Sequence, residues 1–167
     1  MRINVLPLDF LTDQHLGAEY TECHMLITYF TKSSCTKNGI DPAKISRKYT
    51  LNNGHAYFFY DKFQYVVDRH IEIYNEMRNR GRGGDNYIPL NLNDIPNVYK
   101  HKHTKKPLFK VFGDYKVTNK CIKINVDRIL ERIEQKFNQG KPKYYTLNGK
   151  PKTLDQWKQF YNNLINK

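Results

Sequence analysis

Apolar residues return at helical spacing in four stretches of this chain, and segments rich in Asn, Gly and Pro divide them. In the first stretch, Leu11, Ala18, Met25 and Leu26 predict a helix from about Leu11 to Tyr29, with Asp9 as its cap. The second starts near Tyr60, carries Phe63, Val66, Val67, His70, Ile71, Tyr74 and Met77 as its buried stripe, and stops at Gly81. A third spans about Val126 to Asn138. There Val126, Ile129, Leu130, Ile133 and Phe137 face inward, Arg128, Arg132 and Lys136 share another face, and Gly140 ends the helix. In the tail, Thr153-Leu154-Asp155-Gln156 fits a capping box, and Leu154, Trp157, Tyr161, Leu164 and Ile165 form the apolar face of a fourth helix. A helix so short cannot build its own core, so it is expected to pack on the body.

The intervening segments read differently. Thr31 to Asn53 contains Ser33-Ser34, Asn38-Gly39, Asp41-Pro42 and Asn52-Asn53 and is expected to be loop. Gly81 to Gly84 opens another irregular stretch, and Phe109 to Val117 predicts a short hairpin around Gly113-Asp114. There are no repeats and no low-complexity segment. The expected fold is mainly α. It is one compact domain over residues 1–167, with three main helices, long irregular loops and an extra C-terminal helix at 151–167 appended to a body at 1–150.

Charge narrows the range of partners. Twenty-eight Lys and Arg stand against sixteen Asp and Glu, a net charge of +12, which favours polyanions through counterion release. Thirteen Tyr, nine Phe and one Trp add ring surfaces suited to stacking on bases, although many must also build the core. The segments Arg78 to Gly84 and Lys100 to Lys106 suit nonspecific phosphate contact and serve equally as solvated loops. Cys23, Cys35 and Cys121 lack C-x-x-C spacing, which argues against a disulfide framework and fits a reducing cytoplasm. Cys23-His24 lacks partners at metal-ligand spacing, and neither a metal nor another cofactor is expected. No signal-like segment and no apolar run near the roughly 20 residues of a membrane span is present, so a cytoplasmic protein without a membrane partner is expected.

The most informative chemistry lies at the start of the chain. MRINVLPLDFLTDQHLGAEYTE places an α-amine a few residues ahead of a helix bearing His15 and Glu22. Side chains seven apart on a helix differ by about 20° in azimuth, so these two project together, with Glu19 beside them. An α-amine with a pKa of roughly 7.7–8.0 is partly neutral at neutral pH and is a better nucleophile there than an ordinary lysine. Attack by such an amine at the carbonyl oxidation level gives a Schiff base, and a nearby carboxylate can then move protons. An ordinary amphipathic helix with a few satisfied polar residues accounts for the same periodicity.

Two blocks of sequence resemble the pyrimidine-dimer DNA glycosylase/abasic-site lyase family, the UV-repair enzymes of some phages and large viruses. The first comprises Arg2-Ile3-Asn4 and Asp13-Gln14-His15-Leu16-Gly17-Ala18-Glu19-Tyr20-Thr21-Glu22. The second is Gly54-His55-Ala56-Tyr57-Phe58-Phe59-Tyr60-Asp61-Lys62, preceded by Lys44-Ile45-Ser46 at the expected distance. The middle and C-terminal parts resemble the family only weakly, and residues beyond about 150 have no counterpart.

The resemblance implies a mechanism in which the first residue's amine attacks C1′ of a damaged nucleotide and strand cleavage follows by β-elimination. Arg2 is not small, so Met1 is expected to be retained and its amine to take the nucleophile's place; Glu22 matches the catalytic carboxylate. Arg2, Gln14 and His15 match phosphate- or lesion-contacting positions, Arg128 and Arg132 match basic helix residues near the DNA backbone, and Lys143-Tyr144-Tyr145 matches an aromatic-basic stretch near the lesion. Read from the residues alone, His15 is also an ordinary surface histidine, and two Arg at i and i+4 are also a solvated face. His55 and Phe58-Phe59-Tyr60 read as scaffold. The implied partner is double-stranded DNA with a damaged or abasic site, met by a monomer of viral or phage type in a host cell.

Two departures stand out. Thr21 and Met25 occupy positions where the family carries arginines that bind DNA around the lesion. The same chemistry on another damaged or modified pyrimidine therefore stays open, as does a noncatalytic DNA-binding relative. A basic RNA-binding module is a third reading, favoured by charge, aromatics and the Arg-Gly loop alone.

Overall fold

The computed structural model describes residues 3–52, 54–84 and 86–166. Helix α1 runs from Asp13 to Cys35. Its cap is Thr12, whose hydroxyl accepts the His15 N–H, whereas Asp9 lies in a separate 3-10 turn at Leu8–Phe10. The buried stripe is Leu16, Glu19, Cys23, Leu26 and Phe30, so the inward placement expected for Ala18 and Met25 is overturned: both are exposed. A charged residue at the centre of the stripe hid the true face. The helix also runs past Tyr29 through residues expected to be loop. Ser34 donates to the Thr31 carbonyl at 2.7 Å and Thr36 to the Ser33 carbonyl at 2.9 Å, so polar side chains serve the helix end instead of breaking it.

A single turn, α2 (His55–Phe58), precedes α3 (Phe63–Asn79), which packs along α1. The inward residues of α3 are Phe63, Val66, Arg69, His70 and Ile73; Ile71, expected inside, is exposed. No side chain caps this helix. Its first N–H groups go to backbone, Phe63 to the Val111 carbonyl at 3.0 Å and Gln64 to the Gly113 carbonyl at 3.2 Å. Gly113 is needed there because a Cβ would collide with the Asp61 carbonyl oxygen, which instead accepts the Gly113 N–H. The stretch expected to turn as a hairpin around Gly113 is thus the backbone cap of α3. The hairpin lies earlier, where β1 (Val98–Lys100) pairs antiparallel with β2 (Pro107–Lys110), with a bulge after Tyr99.

Helix α4 (Asn119–Asn138) begins well before the expected Val126, under a Thr118 cap. Its first turns bury Cys121 and Asn125, and a buried Asn breaks the apolar rhythm that would have announced them. A small hairpin follows, β3 (Thr146–Leu147) with β4 (Lys150–Pro151), turning on Asn148-Gly149. Both turn residues have positive φ, 53° and 75°, the conformation an Asn-Gly pair favours. The capping box at Thr153 and Gln156 forms as expected and starts α5 (Leu154–Ile165). Helix α5 packs on α4 and buries Trp157 and Tyr161; the Tyr161 hydroxyl donates to the Phe10 carbonyl at 3.0 Å. The fold is mainly α, and the core centres on Phe30, Phe58, Phe59, Tyr60 and Phe63 between α1 and α3. Among the described residues the three cysteines are free thiols, and no helix is long and apolar enough to cross a membrane.

Candidate active site

Residues 3–6 are apolar but for Asn4, and all four are buried, so the beginning of the described chain lies inside the body. Ile3 is gripped at both backbone groups. Its N–H donates to His55 Nε2 at 2.9 Å, and its carbonyl accepts the Tyr49 hydroxyl at 3.0 Å. The Asn4 side chain donates to Glu19 Oε2 at 2.8 Å. Two residues separate this anchor from the α-amine, a reach of at most about 7 Å. Met1 and Arg2, expected as nucleophile and phosphate contact, lie outside the described residues.

Glu19 is fully buried and pairs with the Arg69 guanidinium, Nε to Oε1 at 3.0 Å. Burial raises its carboxyl, while Arg69 and Asn4 pull it down. Glu22 lies one turn along α1, half-buried. Burial raises its pKa from 4.5 to about 7, the positive chain start lowers it, and Glu19 pushes it up. A carboxyl tuned there is available in both protonation states at neutral pH.

His15 lies about 10 Å back along the same flank of α1. Its ring stacks on Tyr145, centroids 4.8 Å apart and planes at 2°, and its Nδ1 shares a 2.7 Å hydrogen bond with the Thr12 hydroxyl. Burial lowers its pKa to about 4, so it is neutral at physiological pH. Gln14 uses both ends of its amide on Thr146, accepting that residue's N–H at 2.9 Å and donating to its hydroxyl at 3.1 Å. Asp13 organises this junction. It receives Arg80 at 3.1 Å, the Thr146 hydroxyl at 2.6 Å and the Gly149 N–H at 2.8 Å, with Arg82 at 3.3 Å. The start of α1, the end of α3 and the β3–β4 turn are thereby locked together.

The remaining sequence-predicted residues divide. Arg132 lies close enough to Tyr145 to lower its phenol pKa, against burial, which raises it; the Arg132 Nε is buried and makes no hydrogen bond among the described residues. Tyr144 is exposed, packs edge-on against Tyr145 at 4.9 Å, and has Lys136 over its face at 4.6 Å. Lys143 is exposed beside them. Arg128 turns to Glu131 at 2.6 Å. Gln14, His15, Tyr144, Tyr145 and Arg132 thus form one end of the site and Glu22 the other.

Sequence reasoning missed Asn4, Tyr49 and Arg69 at the site. Arg69 announces itself only as a charge inside the apolar stripe of α3. The basic loops are also less free than their composition suggests. Arg80 is spent on Asp13, and Lys102 donates to the Cys35 and Thr36 carbonyls at 3.3 and 2.8 Å, closing the end of α1.

The buried segment at residues 3–6, the raised Glu22 carboxyl and the aromatic and cationic side chains around Tyr145 make this flank of α1 the candidate site. The model of the pyrimidine dimer DNA glycosylase family matches residues 1–89, more than half of the chain, and the chain belongs to that family. It is therefore a DNA repair glycosylase whose substrate is damaged DNA.

Proposed function

We propose that this glycosylase works through its N-terminal α-amine and is also an abasic-site lyase on duplex DNA. The amine attacks C1′ of the damaged nucleotide and the base leaves with the glycosidic bond pair. The C1′–O4′ bond then breaks, its electron pair and a proton going to O4′, and the resulting iminium acidifies the C2′ proton. Its removal expels the 3′ phosphate oxygen and breaks the strand by β-elimination. Glu22 stabilises the cationic intermediate and transfers protons during ring opening and elimination. Gln14, His15, Lys143, Tyr144 and Tyr145 with Arg132 contact the lesion, Arg2 a neighbouring phosphate, and Arg128 the DNA backbone.

The observation that carries this reading is the Glu22 carboxyl, raised to about 7 on the flank of α1 beside the anchored start of the chain. Replacing Glu22 by Gln keeps the shape and removes the exchangeable proton. Cleavage of an abasic duplex should fall by about 10²–10⁴-fold while affinity for that duplex changes little. Near-normal cleavage by Glu22→Gln would contradict the assignment.

A further inference from the structure

Side chains from three separate parts of the fold converge on Ile3 and Asn4. His55, at the start of α2, gives Nδ1–H to the Thr50 carbonyl at 2.7 Å, which leaves Nε2 as a bare acceptor for the Ile3 N–H. Its ring stands edge-on to Tyr49 at 5.5 Å and to Phe59 at 5.2 Å, so it cannot turn without displacing both. The Tyr49 hydroxyl has one proton, shared between the Ile3 carbonyl at 3.0 Å and Asn125 Oδ1 at 3.1 Å. Asn125 is oriented in turn by its own donation to the Cys121 carbonyl at 2.8 Å on α4. Glu19, held by Arg69, takes the Asn4 side chain.

We propose that His55 and Tyr49 are positioning residues for the nucleophile, fixing Ile3, two residues behind the α-amine, to the same body that carries Glu22. The inference rests on the amine-dependent mechanism above. The burial of Ile3 alone would hold the strand in the core, but apolar contacts leave it free to slide. Hydrogen bonds to both backbone groups of one residue fix its register along the chain direction, which is the coordinate that sets the distance from amine to C1′. A nucleophile displaced by an ångström loses most of the advantage of being held.

The experiment is single-turnover borohydride trapping on an abasic duplex, with affinity for a stable abasic-analogue duplex measured in parallel. His55→Leu removes the acceptor, His55→Gln restores one at a similar distance, and Tyr49→Phe removes a single hydroxyl. Ile73→Val, a core change on α3 away from the strand, controls for lost stability. The inference expects trapping to slow by about 10- to 100-fold in His55→Leu and by a smaller factor in Tyr49→Phe, with affinity unchanged. His55→Gln should recover much of the rate, and Ile73→Val should trap normally. If His55→Leu does not fold, Tyr49→Phe against Ile73→Val carries the test. Trapping at the wild-type rate in folded clamp variants, or a loss matched by Ile73→Val or by equal loss of affinity, overturns the inference. An acetylated wild-type N-terminus that still traps overturns the mechanism and this inference with it. An acetylation-sensitive wild type with fast-trapping variants overturns the clamp alone.

Discussion

The cost of a tuned carboxyl can be read at Glu22. Its folded pKa, about 7, exceeds the ordinary 4.5, so between those values the folded chain holds a proton that the unfolded chain has released. The stability Glu22 contributes is therefore complete below about 4.5 and is lost as pH rises through about 7. Glu22→Gln stays neutral throughout and escapes this loss. Its melting temperature should exceed that of the wild type near about pH 8 and converge with it near about pH 4. Parallel melting curves at all pH values would show that Glu22 is not shifted in the fold. The residue itself was legible, because its spacing from His15 put both on one flank of α1. The environment that tunes it was not, since Arg69 and Asn4 are distant in sequence and meet Glu19 only after α1 and α3 pack.

Between elements, the weight falls on Asp13. Burial pushes its carboxyl up, but hydrogen bonds from Thr146, Gly149 and Arg80 and the charge of Arg82 bring it below its ordinary value. Asp13→Asn removes one of the two carboxylates that face the buried Arg80 and leaves Glu76 at 2.8 Å, so the loss should be smaller than the about 3–5 kcal/mol of an uncompensated buried charge. Urea unfolding should show a lower midpoint at unchanged slope; an unchanged midpoint would remove Asp13 from its role as the junction of α1, α3 and the β3–β4 turn. Helices with a clean apolar period, α3 and α5, were legible to within a few residues. The start of α4 and the inward face of α1 were not, because buried Asn125 and Glu19 interrupt the period and are satisfied by distant partners. The Gly113 segment carries turn residues, but its close approach to Asp61 is tertiary and leaves no local trace.

The whole molecule carries a net charge of +12, with uncharged residues at Thr21 and Met25 on the outer surface of α1. Thr21 and Met25 are both exposed there, Met25 by 38 %, and neither is needed by the core. Thr21→Arg with Met25→Arg should fold normally and steepen the salt dependence of duplex binding by up to about two phosphate contacts. If dimer recognition is what the missing cations limit, excision of cyclobutane dimers should rise as well. Tighter binding to every duplex without that gain would favour another pyrimidine lesion as the substrate. An unchanged salt slope would show that this surface does not face the phosphates.

The central claim is that the α-amine is the nucleophile and Glu22 the carboxyl that serves it. Borohydride reduction of the protein on an abasic duplex, followed by peptide mapping of the adduct, tests it most directly. The account predicts a covalent link on the N-terminal peptide, at the α-nitrogen, and its loss when that amine is acetylated. An adduct on an internal lysine that survives acetylation would contradict it.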